Sequence, residues 1–219
     1  QSCIRSSPFT TSHNLGCHAG LLSDNLPNKM LIQQDLSRKM LTLAPGIKVQ
    51  ADEEALPYKP ESLDLILSNL SLHWVNDLPG CLYQIRQSLR PDGLFLAALL
   101  GGETLTELRH CMMKAEITLR GGASPRVSPF MTVQDAGALL QRAGFALPVV
   151  DTDRISVTYE NAFKLMQELK AMGEGNILLK RFCGLTTPRL FSETARIYQE
   201  KFTDPRGRIK TTFDIIYLI

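Results

Sequence analysis

Between residues 52 and 74 the chain reads DEEALPYKPESLDLILSNLSLHW. A polar turn leads into a short, nearly continuous apolar run: Leu63, Leu65, Ile66, Leu67 and Leu70. Such a run, bounded by Pro57, Pro60 and Glu61 before it and Asn69 after it, suits a strand buried on both faces. A parallel strand of an open α/β sheet points its carboxyl end at the ligand crevice. Ser68, Asn69, Ser71, His73 and Trp74 then stand at the mouth of a site. Taken alone, the stretch reads equally well as a buried strand followed by an ordinary loop.

The flanking pattern repeats this arrangement. Met30-Leu-Ile-Gln-Gln-Asp35 and Ile47-Lys-Val-Gln-Ala-Asp52 are short strands that end in an acid. Leu36, Met40, Leu41 and Leu43 recur at helical spacing between them, with Ser37 near the start. Asp77 is placed to cap a helix with Pro79 just inside it and one apolar face of Leu78, Leu82, Ile85 and Leu89. Arg90-Pro-Asp-Gly93 reads as a turn before a fifth strand at 94–100. Thr104 and Glu107 have capping-box spacing at the head of another helix, which buries Leu105, Leu108, Met112, Ala115, Ile117 and Leu119. Residues 121–130 hold two glycines and two prolines and break the pattern. They make either a helix connector or a substrate lid carrying Arg126. Beyond them come an amphipathic helix (133–143), an extended segment (148–159), helices at 163–172 and 190–202, and a strand of strong β propensity at 211–219.

Upstream, Asn14-Leu-Gly-Cys-His-Ala-Gly20 places Gly16 and Gly20 where a tight turn brings backbone N–H groups close to a ligand. A helix of Leu21, Leu22 and Leu26 would follow. The segment before it, Pro8-Phe-Thr-Thr-Ser-His13, is a poor strand by composition, and on its own the motif reads more readily as a plain turn. Asp35 suits ribose, since a carboxylate accepts from two hydroxyls at once. It also suits the first turn of a helix, stabilised by the dipole, and both can hold together. Asp52, or the backbone beside it, suits an exocyclic amine, and Glu53, Glu54 and Pro57 shape the turn; a solvated acidic turn accounts for them equally.

The totals narrow the classes. The chain has 219 residues, 44% hydrophobic and 21% charged, enough for one substantial α/β domain. A net charge of +2 argues for neither nucleic acid nor a charged membrane surface. No apolar run approaches the roughly 20 residues that span a bilayer. Five scattered cysteines without CxxC spacing read as reduced thiols, neither a disulfide frame nor a zinc site. His13, His18, His73 and His110 are dispersed, so no metal site is expected. Residues 1–13 read as a disordered or truncated leader, and 14–219 as one domain.

Four motifs together resemble the class I S-adenosylmethionine-dependent methyltransferases: Leu15-Gly-Cys17 with Gly20, Asp35 after strand two, Asp52-Glu53 with Leu56-Pro57, and the 63–74 segment with Arg90-Pro-Asp-Gly93. The resemblance implies an α/β, Rossmann-like sheet of seven strands, mostly parallel with the last antiparallel, and helices on both faces. SNLSLHWVNDLP, GGETLTELR, GGASPRVSPF, RAGF and the stretch around Ala171-Met-Gly-Glu174 resemble, more narrowly, the mitochondrial complex I assembly factor 5 family and its proteobacterial relatives. Malonyl-carrier-protein O-methyltransferases are neighbours of that family.

The cofactor implied by this resemblance alone is S-adenosyl-L-methionine, held by Asn14, Gly16, Gly20, Asp35, Asp52, Glu53 and Asn69. His73, Trp74 and Arg126, expected at the crevice mouth, are the candidate catalytic residues, and they suit positioning rather than proton exchange. The implied partner is a protein substrate or complex I subunit, modified in that family by arginine hydroxylation. The implied setting is the mitochondrial matrix or the inner-membrane face, with peripheral membrane association, or the cytoplasm for a bacterial chain. Two other readings stand beside it: a malonyl-carrier-protein or small-acid O-methyltransferase, with Arg126 pairing a substrate carboxylate, and a non-catalytic scaffold with a decayed ligand site. The sequence departs from the family's D-L-G-C-G-x-G motif at Asn14, which replaces the acid, and at His18, which replaces the middle glycine.

Overall fold

The apolar run becomes β4 (Leu63–Asn69), in which Leu63, Leu65 and Ile66 are at most 2% exposed. It pairs in parallel with β5 (Leu89–Leu100) on one side and β1 (Thr11–Leu15) on the other. β1 pairs with β2 (Met30–Asp35), and β2 with β3 (Ile47–Gln50), all parallel. β7 (Ile209–Leu218) runs antiparallel to β5, with Leu99 opposite Ile216. With β6 (Val150–Tyr159) at the edge, the seven-stranded order is β3-β2-β1-β4-β5-β7-β6. The sheet has the mostly parallel order and antiparallel last strand that the sequence implies. The computed structural model describes residues 9–23, 26, 30–178, 181–182 and 184–219.

Among the described residues the α-helices are α1 (Arg38–Leu43), α2 (Leu78–Ser88), α3 (Thr106–Arg120), α4 (Val133–Arg142), α5 (Ala162–Ala171) and α6 (Pro188–Lys201). A 3-10 turn, Leu72–Trp74, follows β4. Asp77 caps α2 by accepting from the Gly80 N–H at 3.0 Å. Thr132 and Asp135 form a reciprocal capping box on α4. Among the described residues no helix is long and apolar enough to cross a membrane.

Contacts divide the chain into two compact units: 1–100 with 131–152 and 215–219, and 101–130 with 153–214. The first has a core of Leu15, Ile66, Leu72, Leu82, Ile85, Phe95, Leu99, Leu140 and Ile216. The second has its own core of Leu108, Cys111, Ala115, Leu165, Ile197, Tyr198 and Ile209.

Several details differ from the sequence reading. The leader boundary at residue 13 falls inside β1, whose Ser12, His13 and Asn14 are buried despite their polarity. Parallel neighbours on both sides satisfy the β1 backbone, and Asp64 ties down its start by accepting from the N–H groups of Thr10 and Thr11 at 3.1 and 2.9 Å. Residues 1–8 lie outside the described set, as does part of the helix expected at Leu21–Leu26. The turn expected at Arg90–Gly93 is taken into β5, and the β4 register shifts between Leu63 and Leu65 to absorb it. β3 ends at Gln50, so Asp52 lies in the turn beyond it.

Thr104 and Glu107 do not cap α3, whose preceding residue, Leu105, lies at φ 56° without a side-chain cap. Both residues are drawn to β7 instead. The Thr104 hydroxyl donates to the Asp214 carbonyl and accepts the Asp214 N–H, each at 3.0 Å. The Glu107 carboxylate accepts from the Thr212 N–H at 3.0 Å and from its hydroxyl at 2.5 Å. Ile117 is half exposed, while Glu116 takes a buried place on the inner face of α3.

Candidate functional site

β1 delivers the chain into the glycine loop at the carboxyl edge of the sheet. Gly16, His18 and Gly20 all have positive φ, at 62°, 50° and 76°. Glycine adopts this region at no steric cost, and histidine is among the few side chains enriched there. A Cβ on Gly16 would lie 2.0 Å from Ser71 Oγ, so no side chain fits between this loop and the one after β4. Leu70, itself at φ 52°, turns the chain so that Ser71 reaches that place. Gly16→Ala is expected to cost about 1–2 kcal/mol from the left-handed backbone alone. Displacement of Ser71 adds to that, so the variant should melt measurably lower in a thermal scan.

The loop is fixed to the end of β2. The Asp35 carboxylate accepts the His18 N–H at 2.8 Å through one oxygen and the Ser37 N–H at 2.7 Å through the other. Each oxygen has a second lone pair, so the buried carboxylate keeps acceptor capacity. The Cys17 N–H bonds the Gln34 carbonyl at 2.8 Å. Burial and the nearby Asp35 charge push the Cys17 thiol up to about 12, so it stays protonated.

Beyond β3, Asp52 accepts the Glu54 N–H at 2.9 Å. Glu53 accepts from the Ser71 hydroxyl at 3.1 Å, and burial raises its carboxyl above the ordinary range. Asn14 donates to Gln33 Oε1 at 2.9 Å, and Gln33 donates to Ser23 Oγ at 2.6 Å. Asn69, Asn14, Gly16, His18, Leu21 and Leu22 line a cavity of about 40 Å³. That is room for about one water.

A polar network under this edge escaped the sequence reading. Tyr58 donates to Gln34 Oε1 at 2.9 Å and meets His13 Nε2 at 3.1 Å. With its one hydrogen spent on Gln34, the Tyr58 oxygen must accept from His13 Nε2–H. His13 Nδ1 is then a bare lone pair, buried and without a partner among the described residues. Burial lowers the His13 pKa to about 3, so the ring is neutral. The available signal was the pair Gln33-Gln34 inside an otherwise apolar strand: two adjacent amides face opposite sides of a central strand and each needs a buried partner.

This edge has the form of a nucleoside site: a glycine turn after β1, a carboxylate ending β2 and an acidic turn after β3. A family model described as "Methyltransferase domain" matches residues 13–97. The chain is 39% identical to the zebrafish (Danio rerio) "Arginine-hydroxylase NDUFAF5, mitochondrial", over 96% of this chain and 68% of that protein. The chain belongs to the NDUFAF5 family of methyltransferase-fold proteins. The human member is 42% identical over 96% of this chain, which spans 63% of the human protein's length. Among solved structures, the YcgJ protein of Bacillus subtilis superposes with a TM-score of 0.67 at 13% identity, covering 99% of this chain and 93% of that one, and shows the fold.

In this NDUFAF5-family chain the nucleoside half of the site fits S-adenosylmethionine. Asp35 offers acceptor capacity, and Gly16, with its positive φ, lets the loop turn there without a side chain. The amino-acid half is smaller, a cavity of about 40 Å³ beside Asn14, His18, Leu21 and Leu22. Leu21 is 83% exposed and is not held by packing. His73 and Trp74 lie together on the 3-10 turn after β4, ring centroids 5.5 Å apart. Arg126 belongs to the second unit, where it donates to Glu116 Oε1 at 2.6 Å and to Thr186 Oγ1 at 3.0 Å.

Proposed function

We propose that this domain binds S-adenosylmethionine at the carboxyl edge of β1, β2 and β3 and acts on a protein partner during assembly of respiratory complex I in mitochondria. The observation that carries the binding half is Asp35, a buried carboxylate ending β2 that is anchored by the His18 and Ser37 N–H groups. The relatives' name, a mitochondrial arginine-hydroxylase, supports a mitochondrial setting and an arginine side chain as the group modified. When bound, the cofactor would supply an electrophilic methyl group, leaving as S-adenosylhomocysteine, with positioning rather than acid–base help providing much of the acceleration; this is the chemistry of methyl transfer, whereas hydroxylation is an oxidation that this cofactor does not supply.

The chain's own residues bind and orient. Asp35 accepts the ribose hydroxyls with its remaining lone pairs. Asp52 and Glu53 face the exocyclic amine of the base. The glycine loop brings its backbone close to the ligand. Asn14 keeps a carbonyl oxygen for the amino-acid end, where the family motif has a full carboxylate. His73 and Trp74 position the incoming group, and Arg126 holds the 121–130 segment by its pair with Glu116.

Asp35→Asn should weaken S-adenosylhomocysteine binding by at least about tenfold, because a charge-assisted hydrogen bond is worth about 1.5–3 kcal/mol. Calorimetric titration checks this, with a melting curve to show that the variant is folded. Unchanged affinity in a folded Asp35→Asn variant would remove Asp35 from the ligand and, with it, the reading of this edge as the nucleoside site.

A further inference from the structure

The acidic turn after β3 grips the segment that carries His73 and Trp74 at both of its ends. At one end Glu53 accepts from the Ser71 hydroxyl at 3.1 Å. At the other, Glu54 Oε1 accepts from the Asn76 N–H at 2.7 Å, from its side-chain amide at 3.3 Å and from the Asp77 N–H at 3.4 Å. Gln84, on α2, braces the turn by donating to the Glu54 carbonyl at 2.7 Å and accepting the Leu56 N–H at 3.0 Å. Between the two grips lies a single 3-10 turn. The Trp74 N–H closes it on the Ser71 carbonyl at 3.0 Å, and the Val75 N–H on the Leu72 carbonyl at 3.3 Å. Leu72 is fully buried and pins the turn, while His73 and Trp74 are half-buried. A displacement of either end therefore rotates the turn about Leu72 and moves both rings.

Ser71 also abuts the glycine loop, its Oγ 2.0 Å from where a Cβ on Gly16 would stand. Leu70, just before it, is held at φ 52°, a left-handed backbone that is costly for a residue with a Cβ. Such strain persists where the surroundings impose it, and it gathers at clamps and switches. From this geometry we propose that Glu54 is a positioning residue: with Glu53 it relays occupancy of the nucleoside edge to His73 and Trp74, so that the incoming group meets rings already set by the nucleoside. This relay rests on the reading of the edge as the nucleoside site. An exocyclic amine donating to Glu53 addresses the same carboxylate that receives the Ser71 hydroxyl. One donating to Asp52 pulls on the turn that Glu54 ties to Asn76.

Trp74 is the only tryptophan in the chain, so its fluorescence reads the turn directly. The test is paired calorimetric and fluorescence titration with S-adenosylhomocysteine of the wild-type chain, Glu54→Ala and Glu54→Gln, each shown by melting to be folded. A saturable change in Trp74 emission is expected in the wild type, with the calorimetric dissociation constant. Glu54→Ala should bind within about threefold of wild type and lose most of the emission change. Glu54→Gln keeps a side-chain carbonyl for the Asn76 N–H and should retain the change. An emission change kept in full by Glu54→Ala would come from the ligand itself and overturn the relay, as would calorimetric binding that leaves wild-type emission unmoved. A folded Glu54→Ala that no longer binds would place Glu54 in the ligand's grip and overturn its positioning role. Absence of calorimetric binding in the wild type would instead overturn the nucleoside edge, and the relay with it.

Discussion

Acidification is expected to destabilise the first unit steeply, and His13 is the cause. The imidazole is buried in β1, and burial holds its pKa near 3, against 6.5 in the unfolded chain. The unfolded state therefore binds a proton that the folded state refuses. The contribution is complete above pH 6.5 and is lost as pH falls towards 3. The slope is about 1.4 kcal/mol per pH unit across that window, or roughly 2–3 kcal/mol between pH 6.5 and 4.5. Urea denaturation across this range measures it, and comparison with His13→Val isolates it from the carboxylates that titrate in both chains. The variant should show the shallower slope. Parallel slopes would mean that His13 is protonated within the fold and that the Tyr58–Gln34 network does not hold it neutral.

Arg126→Met should cost about 3–5 kcal/mol, the usual penalty for removing one partner of a buried ion pair. Glu116 is only 2% exposed, and its carboxylate also accepts from the Ser124 N–H at 2.7 Å. Burial alone would raise the Glu116 pKa, but hydrogen bonds from Arg126 and Ser124 hold it below the ordinary range. Without Arg126 the burial effect is left less opposed, and Glu116 takes up a proton. The variant should therefore recover part of its stability as pH is lowered through the carboxylate range, opposite in sign to the His13 effect. The double change Glu116→Leu with Arg126→Met should be more stable than Arg126→Met alone, since an apolar pair leaves no uncompensated charge. Urea midpoints of the three variants check this. Arg120 also lies 3.4 Å from the Glu116 carboxylate, and a loss under about 1 kcal/mol for Arg126→Met would show that Ser124 and Arg120 suffice to hold it.

The apolar runs made β4, β5 and β7 legible, because continuous burial leaves a plain signature in sequence. The cap at Asp77 was legible because that side chain has no better partner. Capping failed at Thr104 and Glu107, where β7, over a hundred residues away, offers backbone groups that local spacing cannot reveal. β1 was hardest to read. Its buried His13 and Asn14 are explained by Tyr58 and by Gln33 on β2, neither adjacent in sequence. At the site, Asp35 was visible because an acid ending an apolar strand is conspicuous. Ser71 against Gly16, and the narrowness of the cavity beside Asn14, depend on how two loops meet.

The central claim is that this edge holds an S-adenosyl nucleoside despite Asn14 and His18. Calorimetric titration of the folded wild-type chain with S-adenosylhomocysteine tests it most directly. One site with a micromolar dissociation constant is the predicted result. No binding by a chain shown to be folded would contradict it, and would leave the glycine loop and Asp35 as parts of a structural scaffold.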